Sequence, residues 1–233
     1  MTTNSFDRPY PALTPAQRYR LDVLGYVVVE NTLGPDEVAT IKGELYRLRG
    51  ELLQVDDPSP EGPRVRGSYF LTQAEHHHFM GHIIETGPAT TAYATHPRLV
   101  SMAEELIGGQ ARIVEMNAHI NRRNPADDFA AAPVYGFHRG TDVPFGGHQK
   151  NGLFHCNFVK TLTNLTDLGP DDGGTVVIAG SHKMDVPTED IIAAAYADRS
   201  LIHQVEAPAG STLLFSETLI HATYWIATLL FLN

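Results

Sequence analysis

Residues 210–222 of this chain read GSTLLFSETLIHA, and this stretch indicates the type of fold. An apolar run follows the opening glycine and leads to His221. Residues 173–183 (GGTVVIAGSHK) have a similar construction, and residues 137–142 (FHRGTD) contain His138. Two histidines far apart in the sequence, each at the end of an apolar run, are what a mononuclear metal site inside a β-barrel requires.

Strands dominate the second half of the chain, and helices dominate the first. Short apolar runs between Gly, Pro and Asp clusters predict strands over 111–122, 153–165, 175–178, 202–206, 211–215 and 225–232. Capping residues, early prolines and apolar spacing predict helices over 14–24, 35–53, 97–107 and 185–197. The strands are too closely spaced for parallel crossovers, so we expect a mainly β, antiparallel sandwich or barrel with helical cover.

We expect a single domain over 1–233, with a helix-rich N-terminal part, 1–110, and a barrel core, 111–233. Residues 54–68 are expected to form a loop. The histidine-rich segment 76–82 is expected to be helical and exposed.

Composition limits the possible functions. The 233 residues are 42% hydrophobic and carry a formal net charge of −10, without a stripe of basic residues, which argues against a nucleic-acid partner. The single cysteine, Cys156, excludes an intramolecular disulfide. No apolar run reaches 18 residues and the N-terminus lacks a signal core, so we expect a cytoplasmic protein that does not bind membranes.

Three segments together resemble the phytanoyl-CoA dioxygenase family. The first is 24–31 (LGYVVVEN) with the Pro-Asp-Glu-Val helix after it, the second is 165–183, and the third is 210–222. The resemblance runs from about residue 20 to the end of the chain. It implies a double-stranded β-helix (jelly roll) and a non-haem Fe(II)- and 2-oxoglutarate-dependent oxygenase.

The resemblance also implies metal ligands. In the family, the first histidine and a carboxylate come as His-x-Asp, and a second histidine follows on a later strand. His138 and His221 match the two histidines, but Gly140 stands where the aspartate is expected. Glu217 could supply the missing carboxylate, Asp142 could do so if its loop bulges, or no carboxylate binds, as in related iron halogenases that carry a chloride on iron.

The cosubstrate poses a second question, because the family's arginine after the second histidine is missing. No Arg or Lys follows His221. Either a segment is missing or truncated at this end, or 2-oxoglutarate is held differently, or the protein does not use it. Arg122, Arg123 and Lys160 are the basic residues nearest the predicted barrel. Asn117, His119, Asn157 and Thr212 are the candidate cofactor-binding residues, since alternate polar residues on a strand would share one face, either the barrel interior or a solvated outer face.

The leading hypothesis is therefore an oxygenase that uses Fe(II), 2-oxoglutarate and O₂ to hydroxylate or otherwise oxidise a small organic substrate. The alternatives are a halogenase-like enzyme with an empty carboxylate position and a catalytically silent family member that binds a small ligand or a protein. His182, in the Gly-Ser-His-Lys turn, is expected to be structural.

Overall fold

Proline starts most of the helices. The computed structural model describes residues 12–55, 64–122, 133–170, 172–225 and 229–232. Its α-helices are α1 (Pro15–Leu24), α2 (Pro35–Gln54), α3 (Pro88–Ala94), α4 (Pro97–Ile107), α5 (Val143–Gly146) and α6 (Thr188–Ala197), with 3₁₀ turns at Ser181–Lys183 and Arg199–Leu201. The first four begin on proline. Proline has no backbone N–H, and a backbone N–H at this position would have no partner within the helix. Among these helices, none is long and apolar enough to cross a membrane.

The strands form three antiparallel sheets. They are β1 (Tyr26–Val29), β2 (Arg64–Val65), β3 (Ser68–Ala74), β4 (His77–Gly81), β5 (Ala118–Asn121), β6 (Gly147–Lys150), β7 (Leu153–Cys156), β8 (Val159–Asn164), β9 (Gly173–Ile178), β10 (Ile202–Gln204), β11 (Thr212–Ser216), β12 (His221–Trp225) and β13 (Leu229–Leu232). The large sheet has the order β1-β11-β8-β13-β5-β4-β3-β2, and the small sheet has the order β10-β9-β12. Strands β6 and β7 form a separate hairpin.

The large sheet has a helix-facing side and a barrel-facing side, which alternate along each strand. On β11, Leu214 is buried in the cluster that contains the apolar residues of α1, α2 and α4. Its neighbours Leu213 and Phe215 belong to a second cluster with Val177 of the small sheet, so they fill the barrel between the two sheets. The predicted antiparallel barrel with helical cover is therefore confirmed, and its two sheets match the jelly roll expected from the resemblance.

Several elements differ from the sequence-based predictions. The segment 76–82 is not an exposed helix: β4 runs through it, with His78 and Met80 buried against the helices. The expected loop 54–68 includes β2 and the start of β3. A strand shows itself by a two-residue alternation, and consecutive histidines hide that alternation because they are neither clearly apolar nor clearly polar.

The predicted strand 153–165 is split in two. Asn157 leaves the ladder, its backbone N–H donating to Gly146 O at 2.8 Å and its side-chain amide donating to Phe145 O at 2.9 Å. Of the predicted strand 225–232, Trp225 ends β12 and Leu229–Leu232 form β13, while 226–228 lie outside the described residues. The predicted strand 111–122 is shorter than expected, with only β5 in the ladder.

Candidate active site

His138 and His221 lie side by side. His138 precedes α5, His221 begins β12, and the two residues form an isolated β-bridge. The backbone N–H of His138 donates to His221 O at 3.0 Å, and the N–H of His221 donates to His138 O at 2.9 Å. Their ring centroids are 4.4 Å apart. The structure thus brings together two histidines that are 83 positions apart in the sequence (221 − 138).

Hydrogen bonds orient both imidazole rings. Nδ1 of His221 lies 2.9 Å from Leu219 O, and Nδ1 of His138 lies 3.1 Å from Gly136 O. A carbonyl oxygen only accepts, so each Nδ1 carries the proton when the ring is neutral and each Nε2 presents its lone pair. This is the arrangement in which histidine binds a metal, with the second ring nitrogen held by a backbone group.

The charge state of His221 suits a metal ligand. Burial lowers the pKa of His221 most, and the His138 and Lys160 charges lower it further, against opposing contributions from Glu217 and the Leu219 carbonyl. A lowered pKa favours the neutral ring, and only the neutral ring has a lone pair to offer.

The Glu217 carboxylate occupies the space beside Gly140. The Gly140 N–H donates to Glu217 O at 2.8 Å, so the two residues are also joined through the backbone. A Cβ atom added at Gly140 would lie 2.1 Å from Glu217 Oε2, a distance that atoms do not tolerate. Glu217 therefore fills the position that the side chain of a His-x-Asp aspartate would need.

Lys160 contacts the same carboxylate. Its Nζ lies 3.3 Å from Glu217 Oε1, within ion-pair distance but outside hydrogen-bond geometry, which leaves this buried oxygen without a hydrogen bond among the described residues. Nζ also lies 3.1 Å from Glu115 Oε1. Among the described residues, the side chains of His, Cys, Asp and Glu nowhere form a group of three arranged to hold a metal ion. The donor types needed for iron are present, while the Glu217 side chain is directed to Lys160.

Asp142 has a different environment. It precedes α5, and its carbonyl accepts hydrogen bonds from Phe145 N and Gly146 N at 3.1 and 2.9 Å. Its side chain is exposed, and its charge acts on Arg139. Burial lowers the pKa of Arg139, and Asp142 and Asp185 oppose that shift.

The barrel-facing side of β5 is polar and buried. His119 stacks on Phe79 with ring centroids 4.0 Å apart, and burial, with smaller effects from His77 and Lys160, lowers the pKa of His119 to about 3. Asn117 accepts a hydrogen bond from the backbone of His82 at 3.3 Å. Neither proposed position, Asn117 or His119, is on a solvated outer face.

Thr212 and Asn157 lie away from this polar face. Thr212 Oγ1 is 2.7 Å from Thr163 Oγ1, which is 2.8 Å from the hydroxyl of Tyr93 on α3, so Thr212 is on the helix-facing side of the sheet. The Asn157 side chain is bonded to the backbone of α5 at Phe145. The structure therefore does not bring these two residues to His119.

His182 is buried in the structure, at the 3₁₀ turn after β9. Its Nε2 lies 3.2 Å from Asp22 O, and its ring makes an edge contact with Phe154. A Cβ atom added at Gly25, which ends α1 with φ of 84°, would lie 2.5 Å from His182 Nδ1. His182 thus packs against the end of α1.

Sequence reasoning did not single out Asn164, a polar residue of the barrel interior, whereas it placed Asn121 on one face with Asn117 and His119. Both are buried, and Asn121 has no hydrogen-bond partner for either amide atom among the described residues. The available signal was alternation, because Asn121 follows Asn117 and His119 at two-residue spacing and Asn164 follows Lys160 and Leu162 in the same way.

Two curated proteins are similar to this chain in sequence. The ectoine dioxygenase of Nocardia farcinica is 25% identical over 226 residues, covering 85% of this chain and 68% of that protein. The ectoine dioxygenase of Streptomyces anulatus is 24% identical, and the match covers 48% of its length, so the chain spans about half of that relative.

Solved structures share the fold. HygX from Streptomyces hygroscopicus, with nickel, 2-oxoglutarate and hygromycin B bound, superposes with a TM-score of 0.70 and 22% identity, covering 95% of this chain and 85% of HygX. EctD from S. alaskensis with bound Fe superposes with a TM-score of 0.65 and 20% identity, covering 98% of this chain and 78% of EctD. The family model "Phytanoyl-CoA dioxygenase (PhyH)" matches residues 21–228. The chain therefore belongs to the phytanoyl-CoA dioxygenase (PhyH) family of dioxygenases.

Proposed function

We propose that this protein uses iron and 2-oxoglutarate to oxidise a small polar organic molecule, with His138, His221 and Glu217 forming the metal-binding face. The general class follows from the family: the protein is an iron- and 2-oxoglutarate-dependent oxygenase. The ligand assignment and the polar character of the substrate are our proposals. O₂ is the second cosubstrate in this proposal.

The residues present fit the metal. Two neutral imidazoles and one carboxylate are the donor set of mononuclear iron oxygenases, which leave the remaining coordination positions open. Iron, when bound with 2-oxoglutarate, supplies the activation of O₂ that the protein's own side chains cannot perform. The chain's contribution is to hold the Nε2 atoms of His138 and His221 in place through their Nδ1 hydrogen bonds and to offer the Glu217 carboxylate beside them.

The position of Glu217 at Gly140 is the observation that carries the ligand assignment. A buried carboxylate with an oxygen lacking a hydrogen bond is costly unless a cation compensates it. Lys160 provides part of that compensation in this structure, and iron would provide more. The Asp142 side chain is exposed and its charge interacts with Arg139, so it does not require a metal cation to compensate it.

The same observation argues against an empty carboxylate position. A halogenase-like site requires room for chloride where the aspartate is missing, and Glu217 occupies that room. A silent binding protein is not favoured either, because the relatives that match the chain are named as dioxygenases.

A small polar substrate is supported by two facts. The relatives are named ectoine dioxygenases, and HygX was solved with hygromycin B. The barrel-facing surface around Asn117, His119 and Asn121 is polar, which suits a polar ligand. We also propose a cytoplasmic location, supported by a free, buried Cys156.

Anaerobic spectroscopy tests the proposed function. Fe(II) followed by 2-oxoglutarate should give a weak visible metal-to-ligand charge-transfer band in the wild-type protein, and admission of O₂ should convert 2-oxoglutarate to succinate. His221→Ala should give neither signal, because one imidazole ligand is lost. A wild-type protein that binds iron stoichiometrically but gives no band and forms no succinate would contradict the proposal.

A further inference from the structure

We propose that His148 and His155 form a second metal site, on the β6–β7 hairpin, which binds a divalent transition ion of the Zn²⁺ type. The site is separate from the proposed metal face of His138 and His221 and does not depend on it. Only two side chains take part, so water completes the coordination of the ion.

A tight turn fixes the register that pairs the two histidines. Asn151 and Gly152 have φ angles of 53° and 76°, and a type I′ turn requires positive φ at both central residues. The turn joins β6 to β7 and places His148 directly opposite His155. Side chains in directly opposite positions share one face of the hairpin, with their Cβ atoms about 5 Å apart. The backbone itself therefore brings the two imidazoles together.

The spacing of the two rings suits a single ion. The ring centroids of His148 and His155 are 5.6 Å apart, and the rings lie within 21° of parallel. A tetrahedral zinc ion with Zn–N distances of about 2.1 Å holds the centroids of two imidazole ligands roughly 5 Å apart. His148 is exposed, so its ring can turn toward an ion held by His155. Imidazole is a donor that suits zinc, copper and nickel.

His155 has the tautomer and the charge of a metal ligand. Its Nδ1 lies 3.1 Å from Leu106 O, and a carbonyl only accepts, so Nδ1 carries the proton and Nε2 presents the lone pair. Burial lowers the pKa of His155, and the hydrogen bond with Leu106 opposes this shift. The charges of Arg18, His148 and Lys150 lower the pKa further. The ring is therefore neutral at pH 7 and able to bind a metal.

The end of α4 supports this site. Leu106 lies in the last turn of α4, and Gly108 caps the helix with a φ of 71°. A Cβ atom added at Gly108 would lie 3.3 Å from His155 Nδ1, so the glycine leaves room for the ring. Carbonyl groups at a helix C-terminus carry partial negative charge, which favours a cation nearby. Metal ligands commonly have their second ring nitrogen held by a backbone group, as Leu106 holds His155 here. An ion at this pair would tie both strands of the hairpin to α4.

The consecutive histidines at the start of β4 are the rival that an experiment must separate. His77 and His78 point to opposite faces of the sheet, as neighbouring strand residues do. His78 is buried, and its Nδ1 accepts a hydrogen bond from Arg49 Nε at 3.3 Å. His76 precedes the strand. These rings are not paired across two strands in the way that His148 and His155 are.

Zinc titration of a protein without the proposed metal face tests the inference. The double variant His138→Ala with His221→Ala should bind one equivalent of Zn²⁺, measured by competition with a chromophoric chelator. Adding His148→Gln should raise the Kd of this equivalent by more than about tenfold, because even the loss of a group behind a metal ligand costs about 10- to 100-fold. His155→Gln should have the same effect. His76→Gln, the matched control, should leave the Kd unchanged.

The possible failures are distinguishable. The inference is overturned if the double variant binds no zinc, if His148→Gln leaves the Kd unchanged, or if His76→Gln causes the loss in its place. Should the double variant fail to fold, proton NMR of the wild-type protein gives the same test: Zn²⁺ should shift the imidazole signals of His148 and His155 together, and unshifted signals overturn the inference. Zinc bound at this pair in a wild-type protein that binds no iron would contradict the proposed function and leave this inference standing.

Discussion

The two sides of strand β5, in the middle of the large sheet, differ in polarity. On β5, Ala118 and Ile120 face the helices and are buried in an apolar cluster. The alternate residues Asn117, His119 and Asn121 are equally buried but face the barrel. One four-residue strand with its preceding residue therefore packs into an apolar core on one side and presents buried polar side chains on the other.

This difference in polarity separates residues that stabilise the fold from residues that could bind a ligand. An apolar side chain that leaves water stabilises the fold by about 1.5–3 kcal/mol. A polar side chain buried without a partner costs free energy and is retained when it serves a ligand. Changes on the helix-facing side should therefore lower the free energy of unfolding, and changes on the barrel-facing side should lower the affinity for metal or cosubstrate.

Removal of either histidine should have the largest effect. His138→Ala and His221→Ala are each expected to abolish stoichiometric iron binding, because each removes one imidazole ligand. Iron content after anaerobic loading and desalting measures this. His182→Ala is the control: it should lose stability, since His182 is fully buried against Phe154, but the folded protein should still bind iron. Iron loss in His182→Ala with retention in His138→Ala would make the ligand assignment wrong.

A substitution on the helix-facing side should lower the free energy of unfolding and leave iron binding unchanged. Ile120→Ala is expected to lower the free energy of unfolding by about 2–5 kcal/mol, because it deletes buried carbon atoms in the main cluster. Urea unfolding measures the loss, and iron stoichiometry in the folded protein should stay unchanged. A stable Ile120→Ala protein without iron would erase the distinction between the two sides.

Glu44 provides a pH-dependent test within the helical cover. Burial alone would raise the pKa of Glu44, but hydrogen bonds from Thr90 and Ala89, with Arg47 nearby, lower the pKa below its ordinary value of 4.5. The ionised Glu44 carboxylate therefore stabilises the fold fully above pH 4.5, and this contribution is lost as the pH falls through the lowered pKa of Glu44.

Glu44→Gln should accordingly lower the free energy of unfolding by about 1–3 kcal/mol at pH 7. The difference from wild type should shrink below pH 4.5, as measured by urea unfolding at a series of pH values. A pH-independent difference would show that the Glu44 charge contributes nothing.

The smallest effect on the free energy of unfolding is expected for a substitution of Asn121, which follows Ile120 on β5. Asn121→Ala should change the free energy of unfolding by less than about 1 kcal/mol, since both amide atoms of Asn121 lack a partner among the described residues. The same urea experiment measures it. A loss as large as that of Ile120→Ala would mean that Asn121 holds the fold together.

The sequence predicted the parts of this fold that have strong local signals. The capping box of Thr14 and Gln17 starts α1, and Gly25, with its left-handed φ, ends it at the expected place. The two histidines were singled out through the resemblance to the family, and the fold joins them in one β-bridge. The β3–β4 hairpin was not predictable, because β4 begins with two histidines whose burial depends on distant partners: His77 stacks on His119, and Arg49 donates to His78.

The third ligand was open from sequence for a related reason. Glu217 and Asp142 are both close in sequence to one of the histidines, and no spacing rule distinguishes them. The tertiary fold distinguishes them, because it places the Glu217 side chain in the space beside Gly140. The side of β8 on which the Lys160 side chain lies depends likewise on where β7 ends and β8 begins, on either side of Asn157.

An exchange of the carboxylate between the two positions tests the central claim most directly. Glu217→Ala should lose stoichiometric Fe(II) binding, and the double variant Gly140→Asp with Glu217→Ala should regain it, because an aspartate at position 140 can enter the space that Glu217 vacates. Anaerobic iron titration of the three proteins, with Asp142→Ala as a matched control expected to bind normally, gives the answer. Wild-type iron affinity in Glu217→Ala, or its loss in Asp142→Ala, would contradict the assignment of Glu217 as the carboxylate ligand.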